Sequence, residues 1–233
     1  MNTSILILAG GLATRLKPVS TNIPKSLIKI KDRPFVLHQL NMLSQSGIKN
    51  VHFCLGHLGK QIEDVVRKST FFENLNITFS YDGHKLRGTG GAIIRALSFL
   101  PAFFFVIYGD SYLDVNYKMI EKYFYQNKNS TFQNLMTVYK NDNKWDKSNI
   151  IYQNNQIKLY SKEVHSNKMK YIDYGLSILS KKTLQLYTKK STFDLADYFL
   201  YLIRKNSLLS FEVKKRFYEI GSFKGIEEFK KKI

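Results

Sequence analysis

Ile5-Leu-Ile-Leu-Ala-Gly-Gly-Leu-Ala-Thr-Arg-Leu-Lys-Pro18, continued by Ile23-Pro-Lys-Ser-Leu27, decides how this chain is read. A short apolar run, the length of a strand, ends in the glycines Gly10 and Gly11. Arg15 follows, and Lys25 lies ten residues beyond it. A phosphate site needs backbone N–H groups turned toward an anion, and glycine lets the backbone come close. Arg15 can then fork two phosphate oxygens. An ordinary glycine turn beside a surface arginine is the structural alternative. The G-x-x-x-x-G-K-[ST] and strand-borne G-x-G-x-x-G patterns are absent, which weighs against P-loop NTPases and dinucleotide dehydrogenases.

Outward from that stretch, strands and helices alternate. Ile5–Leu8, Val51–Leu55, Ile77–Tyr81 and Phe103–Tyr108 read as strands, the last as one buried on both faces. Pro34 to Ser44, Leu58 to Lys68 and Gly90 to Leu100 read as helices between them. The alternation implies βαβ units, an α/β fold and a mainly parallel sheet. The second half changes character. Asn149–Tyr152 and Gln156–Tyr160 suggest a hairpin around Asn154-Asn155, Tyr171–Leu179 and Ser210–Val213 further strands, and Gln126–Gln133 a loop. Asp194 and Ser222 are expected N-caps of two late helices. No repeat or linker interrupts the chain, so residues 1–233 are expected to form a single domain.

The chain has 233 residues, 44% of them hydrophobic and 23% charged, as in soluble globular proteins. No apolar run reaches the roughly 18 residues of a membrane helix, and no signal peptide is legible. The lone cysteine, Cys54, excludes an internal disulfide and fits a cytoplasmic setting. The net charge of +18 would suit nucleic acid, but the basic residues are scattered rather than gathered. Polyanionic substrates are another way to use such charge. His38, His52, His57 and His84 lack metal-ligand spacing, and Cys54, in an apolar strand, reads as core. Asp110 stands apart. It follows Tyr108-Gly109 at the carboxyl end of a strand expected at the sheet centre, where open α/β sheets bind ligands.

Leu8-Ala-Gly-Gly-Leu-Ala-Thr-Arg-Leu-Lys-Pro18 with Ile23-Pro-Lys-Ser-Leu27 resembles the signature of the sugar-phosphate nucleotidyltransferases, the nucleoside-diphosphate-sugar pyrophosphorylases. Ala13 replaces a usual glycine and Ser26 a usual proline. Gly88-Thr-Gly-Gly-Ala92, Tyr108-Gly-Asp110, Tyr171-Ile-Asp-Tyr-Gly175 and Arg216-Phe-Tyr-Glu-Ile-Gly221 are similar to further elements of the same family, in the same order. The resemblance covers nearly the whole chain, and similar short members transfer guanylyl to mannose or heptose 1-phosphates, or uridylyl to amino-sugar phosphates.

The resemblance implies a Rossmann-like three-layer α/β/α fold with a mostly parallel mixed sheet. It implies transfer of a nucleotidyl group from a nucleoside triphosphate to a sugar 1-phosphate, giving an NDP-sugar for cell-surface glycans and pyrophosphate. It implies Arg15, Lys25 and Lys162 as catalytic, although Ser161 stands where Glu often precedes that second lysine. Leu8, Ala9, Gly10, Gly11, Thr14, Gly88, Thr89 and Gly90 are the expected nucleotide contacts, and Asp173 and Gly175 those to the sugar phosphate. Mg²⁺ is the expected cofactor, on Asp110 and Glu219, where relatives have Asp in place of Glu219. A structural acid paired with Arg216 or a nearby lysine is the alternative for Glu219. No nucleic-acid or membrane partner is expected, and the oligomeric state is left open, a homodimer included. The chain ends soon after Gly221, so an added β-helix domain with acetyltransferase activity is not expected. Two other readings stay open: a cytidylyltransferase acting on a non-sugar phosphate such as phosphocholine, and a non-catalytic nucleotide-binding regulatory subunit.

Overall fold

A computed structural model describes residues 3–11, 22–83, 87–187 and 192–233. In chain order the elements are β1 (Ser4–Ala9), β2 (Lys29–Ile30), β3 (Arg33–Pro34), α1 (Phe35–Gln45), β4 (Asn50–Leu55), α2 (Gly59–Arg67), β5 (Asn76–Tyr81) and α3 (Gly88–Ala96). Then come β6 (Phe103–Tyr108), β7 (Ser111–Tyr112), α4 (Tyr117–Asn127), β8 (Asn134–Lys140), β9 (Ile150–Gln153), β10 (Gln156–Tyr160) and β11 (Tyr171–Ser180). The chain closes with α5 (Lys181–Tyr187), α6 (Leu195–Arg204), β12 (Leu208–Val213), β13 (Tyr218–Glu219) and α7 (Phe223–Lys232).

The central sheet has nine strands, in the order β10-β9-β11-β6-β1-β4-β5, with β8 pairing to β11 and β12 to β8. The expected βαβ half is parallel throughout: β6 and β4 flank β1, and β5 flanks β4. Beyond β6 the sheet turns antiparallel at β11, which pairs with β6, β8 and β9.

Successive side chains of β1 point to opposite faces and into different cores. Ile5 and Ile7 join a cluster with Val36, Leu40 and Leu43 of α1, Ile62 of α2 and Ile120 and Phe124 of α4. Leu6 and Leu8 join a second cluster with Ile93 of α3 and Leu195, Phe199 and Leu202 of α6. Strand β6 divides likewise: Phe105 and Ile107 face the first cluster, Phe104 and Val106 the second. Helices therefore cover both faces, which is the three-layer arrangement. A third, small cluster of Ile30, Phe35, Ile220, Ile226 and Phe229 seats α7 against α1.

The helix expected from Gly90 begins at Gly88 and gives way to a 3-10 turn at Leu97–Phe99. Pro101 keeps Leu100 extended and stops it there. Asp194 and Ser222 cap α6 and α7 as expected, Asp194 within a capping box with Asp197. Helix α4 and strand β8 have no counterpart in the sequence reading, and α4 takes in the first two residues of the stretch read as a loop.

Candidate active site

The carboxyl ends of β1, β4, β5 and β6 open onto one cleft of about 230 Å³. Leu8, Ala9, Gly10 and Gly11 line it from β1, Cys54 from β4, Asp82 from β5, and Tyr108 and Asp110 from β6. Gly88 and Thr89 of α3 and Pro24, Lys25 and Ser26 close its sides. An open parallel sheet presents ligand sites at this edge, where helix N-termini and strand-end loops converge.

Asp110 is held there by five hydrogen bonds to the backbone around it. Gly109 donates its N–H to the Leu8 carbonyl at 2.9 Å, and the Ser26 hydroxyl donates to the Gly109 carbonyl at 3.0 Å. The fully buried Gln39 of α1 donates its amide to the carbonyls of Tyr108 at 2.9 Å and Ser111 at 2.7 Å. Ile220 donates to the Asp110 carbonyl at 2.9 Å. A side chain at Gly109 would stand 2.9 Å from the Ala9 Cβ, so glycine is needed for β6 to leave the sheet this close to β1. The carboxylate so placed meets the Lys25 ammonium at 3.1 Å, with 26% of the Asp110 side chain and 18% of the Lys25 side chain exposed. A cation and an anion at the cleft floor can engage phosphate oxygens and a metal ion respectively.

Glu219 reaches the same neighbourhood through its backbone, since β13 pairs with β7 and sets Glu219 opposite Ser111. Its carboxylate is occupied elsewhere. One oxygen accepts from the Ser222 hydroxyl at 2.6 Å and the other from the Gly221 N–H, at the turn into α7. Arg216, its expected partner in the structural alternative, instead pairs with Glu228 and lies 3.2 Å over the Trp145 ring. Among the described residues no three His, Cys, Asp or Glu side chains gather as a metal cage. Mg²⁺ asks for less, one or two carboxylates with substrate phosphates and water. Asp110 meets that requirement; Glu219 as placed does not add to it.

Gly88 and Thr89 line the cleft, but Gly90 faces away from it. A Cβ on Gly90 would overlap the Phe193 ring, and the N–H groups of Gly90 and Gly91 both donate to the Phe193 carbonyl, at 3.0 and 3.3 Å. The Thr89 hydroxyl accepts from the Leu195 N–H at 2.7 Å. The glycines here admit the chain entering α6, and Gly88 does so at φ +70°, where glycine is favoured.

Lys162 pairs with Asp194 at 2.9 Å, both about half exposed, and does not line the cleft. Against the upward push of burial, the Ala196 N–H and the Lys162 ammonium hold Asp194 below the usual carboxylate range. Asp173 and Gly175 lie on β11, where the register against β8 shifts and Gly175 takes φ +87°, and neither lines the cleft. Burial raises the Asp173 carboxyl, against the Gly175 N–H donated to it at 2.9 Å. Thr14 and Arg15, together with Ala13, lie outside the described residues.

The sequence reading passed over two residues. Gln39 carries no motif. Asp82 is 7% exposed in the cleft wall and directly follows β5, the same signal that singled out Asp110 after β6. Cys54 lines the cleft too, but burial pushes its thiol up to about 12, so it is a neutral apolar surface rather than a nucleophile. His38 bonds the Ile30 carbonyl, and His52 bonds the Thr78 and Ser80 hydroxyls.

Comparison with known proteins finds relatives along nearly the whole chain. The family model described as nucleotidyl transferase matches residues 4–231. Mannose-1-phosphate guanyltransferase 2 of Candida glabrata is 26% identical over 222 residues, which are 93% of this chain and 60% of that protein. D-glycero-alpha-D-manno-heptose 1-phosphate guanylyltransferase of Campylobacter jejuni is 34% identical over 111 residues, 48% of this chain and 49% of that protein. The chain thus spans 60% or less of the length of these curated relatives. The crystal structure of HddC from Yersinia pseudotuberculosis complexed with GMP-PN superposes with a TM-score of 0.81 at 25% identity, over 99% of both chains.

Proposed function

The chain belongs to the nucleotidyl transferase family, and we propose that it transfers a nucleotidyl group, guanylyl in the reading we favour, from a nucleoside triphosphate to a sugar 1-phosphate. The observation that carries the reading is the Lys25–Asp110 pair at the floor of a glycine-walled cleft on the carboxyl edge of a parallel sheet. The names of the mannose and heptose 1-phosphate guanylyltransferases support guanylyl transfer and a sugar of that kind. Phosphocholine cytidylyl transfer has no such support. A purely regulatory binder has no need of the anchored Asp110.

In this reading an oxygen of the sugar 1-phosphate forms a bond to the α-phosphorus while the bond to the β-phosphate's bridging oxygen breaks, its electron pair leaving with pyrophosphate. The attacking phosphate is already ionised at neutral pH, so no general base is required. Positioning and charge stabilisation carry the rate. Lys25 neutralises the α-phosphate, and the backbone at Gly10 and Gly11 lets the triphosphate approach β1. Arg15 grips the β- and γ-phosphates as pyrophosphate departs. Lys162, released from Asp194, orients the sugar phosphate, and Asp173 accepts from a sugar hydroxyl. Asp110 would hold Mg²⁺, which when bound would supply positive charge to the reacting phosphates. The test is pyrophosphate release with Mg²⁺, across four nucleoside triphosphates and a panel of sugar 1-phosphates. Release is expected with GTP and mannose or heptose 1-phosphate; no release with any pair contradicts the proposal.

A further inference from the structure

Strands β5, β10 and β12 each pair on one side only among the described residues, and they are not alike. Strand β10 carries Lys158, and its register against β9 shifts between Ile157 and Leu159. Strand β12 carries Glu212 and runs into Lys214 and Lys215. A charge or a bulge on an edge strand is a common guard against pairing with another chain. Strand β5, Asn76-Ile-Thr-Phe-Ser-Tyr81, has neither. It holds no charged residue, proline or glycine, and all six of its residues pair with β4 in unbroken register.

The ladder with β4 decides which backbone groups are left over. The Asn76 N–H donates to the Lys49 carbonyl at 2.8 Å and the Asp82 N–H to the Leu55 carbonyl at 2.9 Å. In a parallel pair alternate residues bond the neighbour. Asn76, Thr78 and Ser80 therefore turn their N–H and C=O groups to β4, and Ile77, Phe79 and Tyr81 turn theirs outward. The Phe79 ring is already fixed, stacked on Phe53 at 5.5 Å with the Arg67 guanidinium 5.0 Å from its centre. Little side-chain freedom is lost when it is covered.

We propose that β5 pairs antiparallel with β5 of a second copy of this chain, about a twofold axis at Phe79, joining the two central sheets into one. Such an axis sets Phe79 opposite Phe79 of the other copy, Ile77 opposite Tyr81 and Thr78 opposite Ser80. The outward residues then all fall in hydrogen-bonded pairs, each exchanging both N–H···O bonds. An axis at Thr78 or at Ser80 leaves Tyr81 or Ile77 without a partner in the strand. The side-chain pairs are of stabilising kinds: aromatic on aromatic, β-branched on aromatic, and hydroxyl on hydroxyl.

Charge favours a second copy on this edge. The chain carries +18 overall, which repels another copy. Residues 59–81, which form α2 and β5, are neutral: Lys60, Arg67 and Lys68 balance Glu63, Asp64 and Glu73. Lys60 pairs with Glu63 and Asp64, and Arg67 with Glu63, so these charges are spent within α2. Antiparallel pairing also points the carboxyl edges of the two sheets in opposite directions, so the two clefts lie on opposite edges. The inference does not depend on the reaction proposed above.

The test reads mass and amide exchange on the wild-type chain at about 0.15 M salt, where repulsion is screened beyond about 8 Å. Sedimentation at rising concentration is expected to pass from the 27.2 kDa chain to twice that mass. The dissociation constant should be on the order of 1–100 μM, as for a small interface. Over the same range the Ile77, Phe79 and Tyr81 amides should gain about tenfold or more in protection, and the Thr78 and Ser80 amides, already bonded to β4, less. Ile77→Pro removes an outward N–H and leaves the β4 ladder whole, and Ile77→Lys sets a guarding charge on the edge. Each acts twice across the axis, so the dissociation constant should rise about tenfold or more. A wild-type chain that stays monomeric up to about 1 mM overturns the inference. So does a dimer whose Ile77, Phe79 and Tyr81 amides exchange as in the monomer, or one that neither variant weakens. The mass and exchange readings need no variant and hold even if a substituted chain does not fold.

Discussion

Gln39 touches no proposed substrate, yet it ties the carbonyls of Tyr108 and Ser111 on either side of Asp110 to helix α1. Its own carbonyl oxygen is buried without a partner among the described residues. Gln39→Leu strands two backbone acceptors, which should cost about 1–3 kcal/mol of stability in urea unfolding. The turn should also loosen around Asp110. The Mg²⁺ concentration for half-maximal pyrophosphate release is expected to rise, while affinity for the sugar phosphate stays near wild type. An unchanged Mg²⁺ dependence removes Gln39 from this role. Arg15 is the other test at this scale: Arg15→Ala is expected to lower turnover about 10²-fold, as for a transition-state contact. Near-normal turnover excludes it. Lys25 and Asp110 were legible because a short motif and a strand-end position marked them. Gln39 was not, since a polar residue on the buried stripe of a helix gives no periodic signal.

At the level of elements, α3 and α6 are fastened end to end. The Phe193 carbonyl takes the N–H groups of Gly90 and Gly91, its ring lies over Gly90, and Leu195 donates to Thr89. Gly90→Ala forces the ring away, and overpacking of this kind costs about 1–3 kcal/mol. The prediction is a lower urea midpoint together with weaker nucleotide binding, because Gly88 and Thr89 move with the end of α3. A variant as stable as wild type shows that the contact has room to give. The Gly88–Ala92 motif was thus visible in the sequence, but the division of labour within it was not. Gly88, Thr89 and Ala92 face the cleft, and Gly90 admits Phe193, a segment about a hundred positions away. The same limit explains α4 and β8. Tyr117, Ile120 and Phe124 carry helical spacing, but aromatic and polar residues between them hide it. In β8, Asn134 and Thr137 are buried polar residues that break the alternation, satisfied by the Ser180 N–H and the Leu176 carbonyl across the sheet.

For the molecule as a whole, one buried imidazole sets part of the acid response. Burial lowers the pKa of His52 from 6.5 to about 4, with both ring nitrogens bonded to hydroxyls and the ring stacked on Phe99. The unfolded chain then binds the proton more readily than the folded one. Stability from neutral His52 is fully present above pH about 6.5 and is lost as pH falls toward about 4, on the order of 3 kcal/mol. Urea midpoints at pH 7 and pH 4.5 should therefore fall further apart in the wild type than in His52→Gln, whose carboxylates titrate alike. Equal differences refute the assignment. The parallel half of the sheet was readable from strand–helix alternation, and the two cores follow from the alternating faces of β1 and β6. The antiparallel half was less so, because pairing of β11 with three partners depends on contacts far apart in sequence.

These scales meet at Asp110, which the fold places, Gln39 steadies and Lys25 faces. Pyrophosphate release from GTP with mannose or heptose 1-phosphate, compared between the wild type and Asp110→Asn at equal Mg²⁺, tests the account most directly. The account predicts release that requires both substrates and falls by about 10² or more in the variant. Release that proceeds without the sugar phosphate, or that Asp110→Asn leaves undiminished, would contradict it.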